Sequence, residues 1–214
     1  MESKEKVENF RNYLIEENKE KCVELYTKEL NDNSENLLEI YKSYIIDSIS
    51  NWHEEFEENR LSIWQEHVRS SILRTLVECS YPCVIKLASK KEKKNKKVLI
   101  ASPAEEKHDL GARIVSDYFE LSGYNSIYAG NTLPLDTLIE AIKYEKPDFL
   151  ALSVTTKYNF IFIMKIIDGI SERFPDLKIY IGGQGIKGDV DCLKNFKNVE
   201  IMDLNQILNE GADK

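Results

Sequence analysis

The sequence predicts an α/β protein with an N-terminal all-α domain, and three observations predict it. Through residue 88, apolar side chains recur every three or four residues. From residue 97 onward, short apolar runs alternate with amphipathic stretches. Between them lies Ser89-Lys90-Lys91-Glu92-Lys93-Lys94-Asn95-Lys96-Lys97, with six lysines in nine residues. Apolar positions at a 3.6-residue period form one face of a helix, whereas short apolar runs bounded by turn residues form buried strands. A lysine cluster of this density cannot be buried, so it reads as a solvated tether. The chain therefore divides into a helical domain (1–88), a linker (89–97) and an α/β domain (98–214).

The first helical segment, residues 4–30, carries Phe10, Tyr13, Leu14, Cys22, Val23 and Tyr26. Asn31-Asp32-Asn33-Ser34 marks a turn. The next segment places Leu37, Leu38, Tyr41, Tyr44, Ile45, Ile49, Trp52 and Phe56 at helical spacing. Ser34 or Asn36 can cap it, and Glu39 stands three residues after Asn36, as a capping box requires. Glu57-Glu58-Asn59-Arg60 interrupts the pattern. A third run holds Ile63, His67, Ile72, Leu73, Leu76 and Val77, and Pro82 predicts a break before a short last piece, 84–88. The sum is a bundle of about four helices.

In the second half, strands are predicted at 97–102, 126–129, 149–154, 178–181 and 200–202. Helices are predicted at 110–121, 135–144, 158–174 and 190–194. Strict alternation with short turns gives a parallel sheet covered on both faces. Five such strands define a doubly wound, flavodoxin-like (Rossmann-like) sheet, which binds ligands outside the carboxyl ends of its strands.

Bulk properties narrow the function. The net charge of −8 argues against a direct grip on nucleic acid, which needs a clustered positive surface. No apolar run approaches the ~20 residues of a membrane span, and the charged start, Met1-Glu2-Ser3-Lys4, does not resemble a secretory signal. A cytoplasmic location is expected. The cysteines Cys22, Cys79, Cys83 and Cys192 are sparse, which suits a reducing compartment. Cys79 and Cys83 share a helix face, but with no second pair beside them they read as packed thiols rather than a zinc site.

The densest chemical information lies in Glu106-Lys107-His108-Asp109-Leu110-Gly111, between the first strand and its helix. A histidine here stands where this sheet type binds ligands. Glu106 can engage one ring nitrogen, fixing the tautomer and raising the basicity of a metal-ligating imidazole. Gly111 lets a bulky flat group approach the backbone. The pattern resembles the Asp-x-His-x-x-Gly signature of cobalamin-binding domains, the family of methionine synthase and the corrinoid methyltransferase proteins, with Glu106 in place of Asp. Two further stretches match in order, over residues 97 to about 210. Ser153-Val154-Thr155 stands where the family has Ser-x-Leu, and Gly182-Gly183 where it has Gly-Gly. The turn at Tyr128-Ala129-Gly130-Asn131-Thr132-Leu133-Pro134 also resembles the family's. The resemblance implies that His108 ligates cobalt from below after displacing the cofactor's own base. It also implies that Asp109 and Gly111 flank the corrin, and that Ser153, Thr155, Gly182 and Gly183 line the slot for the nucleotide tail.

The helical domain would cover the upper face. Phe56, nine intervening residues and Glu66-His67 resemble the Trp-x9-Glu-His motif of B12-dependent light sensors. That resemblance implies that Phe56, Glu66 and His67 surround an upper adenosyl ligand, with Trp52, one helical turn earlier, as a second aromatic. The alternative is that Phe56 and Trp52 are bundle core and Glu66-His67 a surface pair. No helix-turn-helix DNA-binding module is evident. The first functional expectation is a regulatory photoreceptor that binds cobalamin, adenosylcobalamin ahead of methylcobalamin. It would act through a DNA-binding protein partner or a change of homo-oligomeric state. The second is a corrinoid shuttle of a methyltransferase system, docking on methyltransferase partners. A third is a fold that binds another planar chromophore or none. In the first two the chain is not a complete enzyme, because cobalt carries the chemistry and the protein sets its ligand and access.

Overall fold

The structure is a computed structural model that describes residues 2–50, 52, 61–157, 160–186 and 190–209. The chain forms two compact units, Met1–Leu87 and Ala88–Lys214.

In the first unit, α1 (Glu2–Ile15) and α2 (Lys19–Asp32) replace the single helix predicted over 4–30. The break has a local cause. Glu17 takes a left-handed φ of 57°, and the Asn18 side chain caps α2 by accepting from the Lys21 amide at 3.1 Å. A 3₁₀ turn, Ser34–Asn36, leads into α3 (Leu37–Ile40), a π-helical Tyr41–Ile46 and α4 (Asp47–Ser50). The predicted capping box does not form. The Asn36 amide donates to Asn33 O within the 3₁₀ turn at 2.9 Å, and its side chain makes no cap bond.

Helix α5 (Ile63–Ala88) runs through Pro82, where a break was predicted. Pro82 cannot donate to the carbonyl four residues earlier, at a cost of about 3 kcal/mol. Buried Leu76, Val77 and Ser80 before it, and Val84 and Ala88 after it, hold both halves in the core. That core centres on Tyr44, which meets Phe10 and Tyr26 edge-on at centroid distances of 5.1 and 5.9 Å. The Tyr26 hydroxyl pairs with Ser80 Oγ at 2.7 Å, giving a buried phenol the partner it needs.

Cys22 is buried in this core, and burial pushes its thiol up to about 12. The thiolate is the nucleophile, so Cys22 stays protonated and unreactive at ordinary pH. Iodoacetamide at pH 8 is expected to label exposed Cys79 at least tenfold faster than Cys22, read by peptide mass spectrometry. Comparable rates in folded protein would contradict this packing.

The second unit is a parallel sheet, order β2-β1-β3-β4-β5, built from β1 (Lys97–Pro103), β2 (Asn125–Leu133), β3 (Phe149–Ser153), β4 (Lys178–Gly182) and β5 (Val199–Ile201). Helix α6 (Leu110–Leu121) packs with α9 (Leu204–Asn209) on one face, and α7 (Leu135–Glu145) with α8 (Phe160–Arg173) on the other. Central β1 and β3 are almost wholly buried apolar residues, as expected of strands covered on both sides. Leu99, Ala101, Leu150, Leu152, Ile163 and Ile167 belong to the largest core cluster.

Three further expectations are corrected here. The predicted helix 190–194 is a 3₁₀ helix, Asp191–Asn195, too short to bury an amphipathic stripe. The stretch Tyr128–Leu133, predicted as a turn, continues β2. Register shifts against β1 and left-handed φ values at Gly130 and Thr132 absorb its irregularity. The lysine segment is not a free tether throughout. Lys94 donates its amide to Gly123 O at 3.0 Å, and its ammonium lies 4.1 Å from the Tyr124 ring centroid. Lys96 sits over Phe149 at 5.2 Å, so this part of the linker is fastened to the second unit by cation–π contacts. Among the described residues, no helix is long and apolar enough to cross a membrane.

Candidate functional site

The sheet order places a topological switch point between β1 and β3, because the chain leaves β1 toward β2 and returns on the opposite side. The loop after β1 lies at this point. A turn, Glu106 N to Pro103 O at 3.0 Å, with Glu105 at φ 70°, sends the Glu106 side chain inward, where it is fully buried.

The buried carboxylate is held on both sides. Its Oε1 accepts from the His108 backbone amide at 3.2 Å and contacts His108 Nδ1 at 2.5 Å. Its Oε2 accepts from the amides of Thr155 and Thr156, just beyond β3, at 2.8 and 3.0 Å. An ionised carboxylate only accepts, so Nδ1 donates and the ring's lone pair lies on Nε2. The His108 side chain is 47% exposed. A buried charge with such partners is affordable only because its lone pairs are met by N–H donors.

From the other side, Asn131 donates its side-chain amide to Lys107 O at 2.9 Å, and the Thr132 amide to Glu106 O at 3.3 Å. Asp109 occupies the N-cap position of α6 without a cap bond from its side chain. Its carboxylate instead accepts from Arg113 Nε at 3.0 Å, and that guanidinium lies 5.1 Å from the Tyr128 ring centroid.

Ser153 ends β3 opposite Gly182, and its hydroxyl has no hydrogen-bond partner among the described residues. A Cβ built on Gly111 would stand 3.5 Å from Ser153 Oγ, so the first turn of α6 faces that hydroxyl. The paired glycines have a different cause. A Cβ on Gly183, at φ +110°, would meet Val154 O at 2.2 Å, and one on Gly182 would meet Met202 O at 2.6 Å. Close approach of the strand ends therefore already demands glycine at both.

The structure thus gathers Glu106, His108 and Thr155 into one bonded group, Asp109 beside it, and Gly111 and Ser153 into a second contact. Thr155 joins through its backbone. Thr156 and Asn131 are participants that residue type did not reveal, since the Thr156 contact is a backbone amide's. Trp52, Glu66 and His67 lie in the first unit. Trp52 is buried. Glu66 accepts from Ser70 Oγ at 2.5 Å and lies 3.5 Å from His67 Nε2, while His67 is 73% exposed. Phe56 lies outside the described residues.

The donor set suits a corrinoid. A half-exposed imidazole with Nδ1 committed to a carboxylate offers Nε2 as a metal ligand, and the unpartnered Ser153 hydroxyl beside Gly111 offers a hydrogen bond where no side chain blocks access. Residues 96–195 match the B12 binding domain family. A curated relative, the methanol–corrinoid protein of Methanosarcina barkeri (strain Fusaro / DSM 804), is 30% identical over 100 residues, 45% of this chain and 38% of the relative. The match thus spans well under half of that relative's length. The solved monomethylamine corrinoid protein of Methanosarcina barkeri superposes with a TM-score of 0.78 at 17% identity, covering 97% of each chain. That likeness establishes a shared fold of helical region plus five-stranded parallel sheet. The B12 binding domain match thus falls within the second unit and includes the loop that carries Glu106 and His108.

Proposed function

We propose that the chain is a corrinoid shuttle protein of a methyltransferase system, with His108 as the residue that would ligate the corrinoid's cobalt. The observation that carries this is the Glu106–His108 pair at the switch point, within a domain whose curated relative is a corrinoid protein for methanol. When bound, a corrinoid would supply the methyl-carrying chemistry of its cobalt. The protein's own residues orient and tune. Glu106 holds the ring and raises its basicity. Ser153 would offer its hydroxyl to the bound corrinoid, and Gly111 would leave room for it beside that hydroxyl. Methylcobalamin is then the functional form, and methyltransferases are the partners. A DNA-binding regulator has no counterpart among the named relatives.

The light-sensor reading is less well supported. Its motif needs Glu66 and His67 turned toward a ligand, whereas Ser70 on the same helix already satisfies Glu66. Two measurements test the choice. Protein loaded with methylcobalamin in the dark is expected to show a base-off, His-on spectrum and to pass its methyl group to a thiol acceptor when a thiol methyltransferase is added. Size-exclusion chromatography is expected to give the same elution volume before and after green light. A light-driven change of assembly without methyl transfer would overturn the proposal in favour of a photoreceptor.

A further inference from the structure

We infer that the lysine-rich segment ahead of β1 is a latched tether. Lys94 and Lys96 hold it against a cluster of aromatic rings in the second unit, and neutralising their charges lets it out. The inference concerns the tether alone and does not depend on the corrinoid reading. Helix α5 ends at Ala88 and β1 begins at Lys97, so residues 89–96 join them. Their second half is laid down on the loop that leads into β2. A Cβ on Gly123 would stand 2.3 Å from Glu92 O, so the two backbones already touch there. The Lys94 amide donates to Gly123 O at 3.0 Å, and Lys96 O accepts from the Asn125 amide at 2.9 Å.

Beneath the strap lie four rings. Phe119 meets Tyr124 and Tyr180 at centroid distances of 5.4 and 6.5 Å, and Phe149 meets the same two at 6.1 and 5.4 Å. The four therefore close into a cycle. Phe119, Tyr124 and Tyr180 are buried, so the cycle cannot follow the strap if it lifts. Lys94 Nζ lies 4.1 Å from the Tyr124 centroid and Lys96 Nζ 5.2 Å from that of Phe149. These contacts depend on charge, because an ammonium is drawn to the negative face of a ring and a neutral amide is not. Just beyond, Lys97 is pinned independently: its amide donates to Asp148 Oδ2 at 2.7 Å and its ammonium to Glu145 Oε2 at 3.0 Å. Release therefore stops at β1. Latched, residues 89–91 separate the helix from the strap's first contact, and they span about 10 Å at most. Released, residues 89–95 span about 24 Å at most, and their lysines repel one another and favour extension. Glutamine at 94 and 96 keeps length and polarity while removing charge, the same change that lysine acetylation makes.

The test is amide hydrogen exchange of the full chain, read by NMR, with small-angle X-ray scattering on the same samples. In wild type the Lys94 amide is expected to exchange at least tenfold slower than its unstructured rate. Lys94→Gln with Lys96→Gln should speed it at least tenfold and lengthen the maximum dimension. Lys94→Arg with Lys96→Arg should leave both at wild-type values, since a guanidinium keeps the charge and stacks on aromatic faces. Gly123→Ala lifts the strap by the other route, with all lysine charges intact, and should also speed Lys94 exchange. Gly130→Ala, whose φ of +114° matches the strain but whose Cβ meets nothing within 4 Å, should not. An unprotected Lys94 amide in wild type, unchanged exchange in the glutamine variant, or an arginine variant as fast as the glutamine one would each overturn the inference. So would faster exchange with no gain in maximum dimension, because the bonds would then open without letting the tether out.

Discussion

His108→Ala abolishes the His-on spectrum of the cobalamin-loaded protein and leaves the fold intact. The second half of that expectation follows from the carboxylate behind the ring. Glu106 keeps the amides of Thr155, Thr156 and residue 108 after the imidazole is gone, so no buried charge is left bare, the situation that makes such deletions destructive. The ring is half exposed, so its removal costs stability little, within about 0.5–1 kcal/mol. The first half follows from ligation. Disturbing an outer partner of a metal ligand typically costs about 10- to 100-fold in affinity, and deleting the ligand itself should exceed that. The visible spectrum and equilibrium dialysis of the variant with hydroxocobalamin read both effects, and added imidazole should restore part of the lost band. A variant spectrum indistinguishable from wild type would remove His108 from the coordination sphere.

What the sequence made legible, and what it did not, divides along the range of the interactions. The spacing Glu106-x-His108 after an apolar run is local, and by itself it places both partners on one loop. The βα alternation is likewise a matter of neighbouring residues, and helix 110–121 has the bounds its periodicity predicts. The second half of the Glu106 network was hidden because its donors are main-chain amides of Thr155 and Thr156, which every residue but proline carries. They reach Glu106 only through the pairing of β1 with β3, about fifty positions apart. The helical unit was misread where local signals were outweighed. Pro82 reads as a break, but the packing of Leu76, Val77 and Val84 outweighs its missing donor. Glu17 and Asn18 read as helix interior, although the Asn18 cap and a left-handed Glu17 divide the segment. Lys94 and Lys96 read as solvated, because charge alone does not reveal that the Tyr124 and Phe149 rings lie beneath them.

Gly183→Ala should be the most destabilising single-methyl change in the second unit. Two costs coincide there. At φ +110° an L side chain is strained by about 1–3 kcal/mol. The new Cβ would also stand 2.2 Å from Val154 O and 2.9 Å from Val154 C, backbone atoms that no rotamer change can move. Val154 is in turn fixed, its amide donating to Gly182 O and its carbonyl accepting from the Gly185 amide, each at 2.9 Å. Relieving the clash thus means parting the ends of β3 and β4, beside Thr155 and therefore beside Glu106. Gly130→Ala separates the two contributions. Its φ is +114°, yet a Cβ there meets nothing within 4 Å, so it carries conformational strain alone. Thermal unfolding should place Gly183→Ala on the order of ten degrees below wild type and Gly130→Ala only a few. Because the displaced strand end carries the threonine amides, the Gly183 variant should also lose His-on cobalamin before it unfolds, whereas the Gly130 variant should retain it. Equal melting temperatures for the two variants would show that the β3–β4 junction yields freely, and that these glycines answer to something other than the close approach of the strand ends.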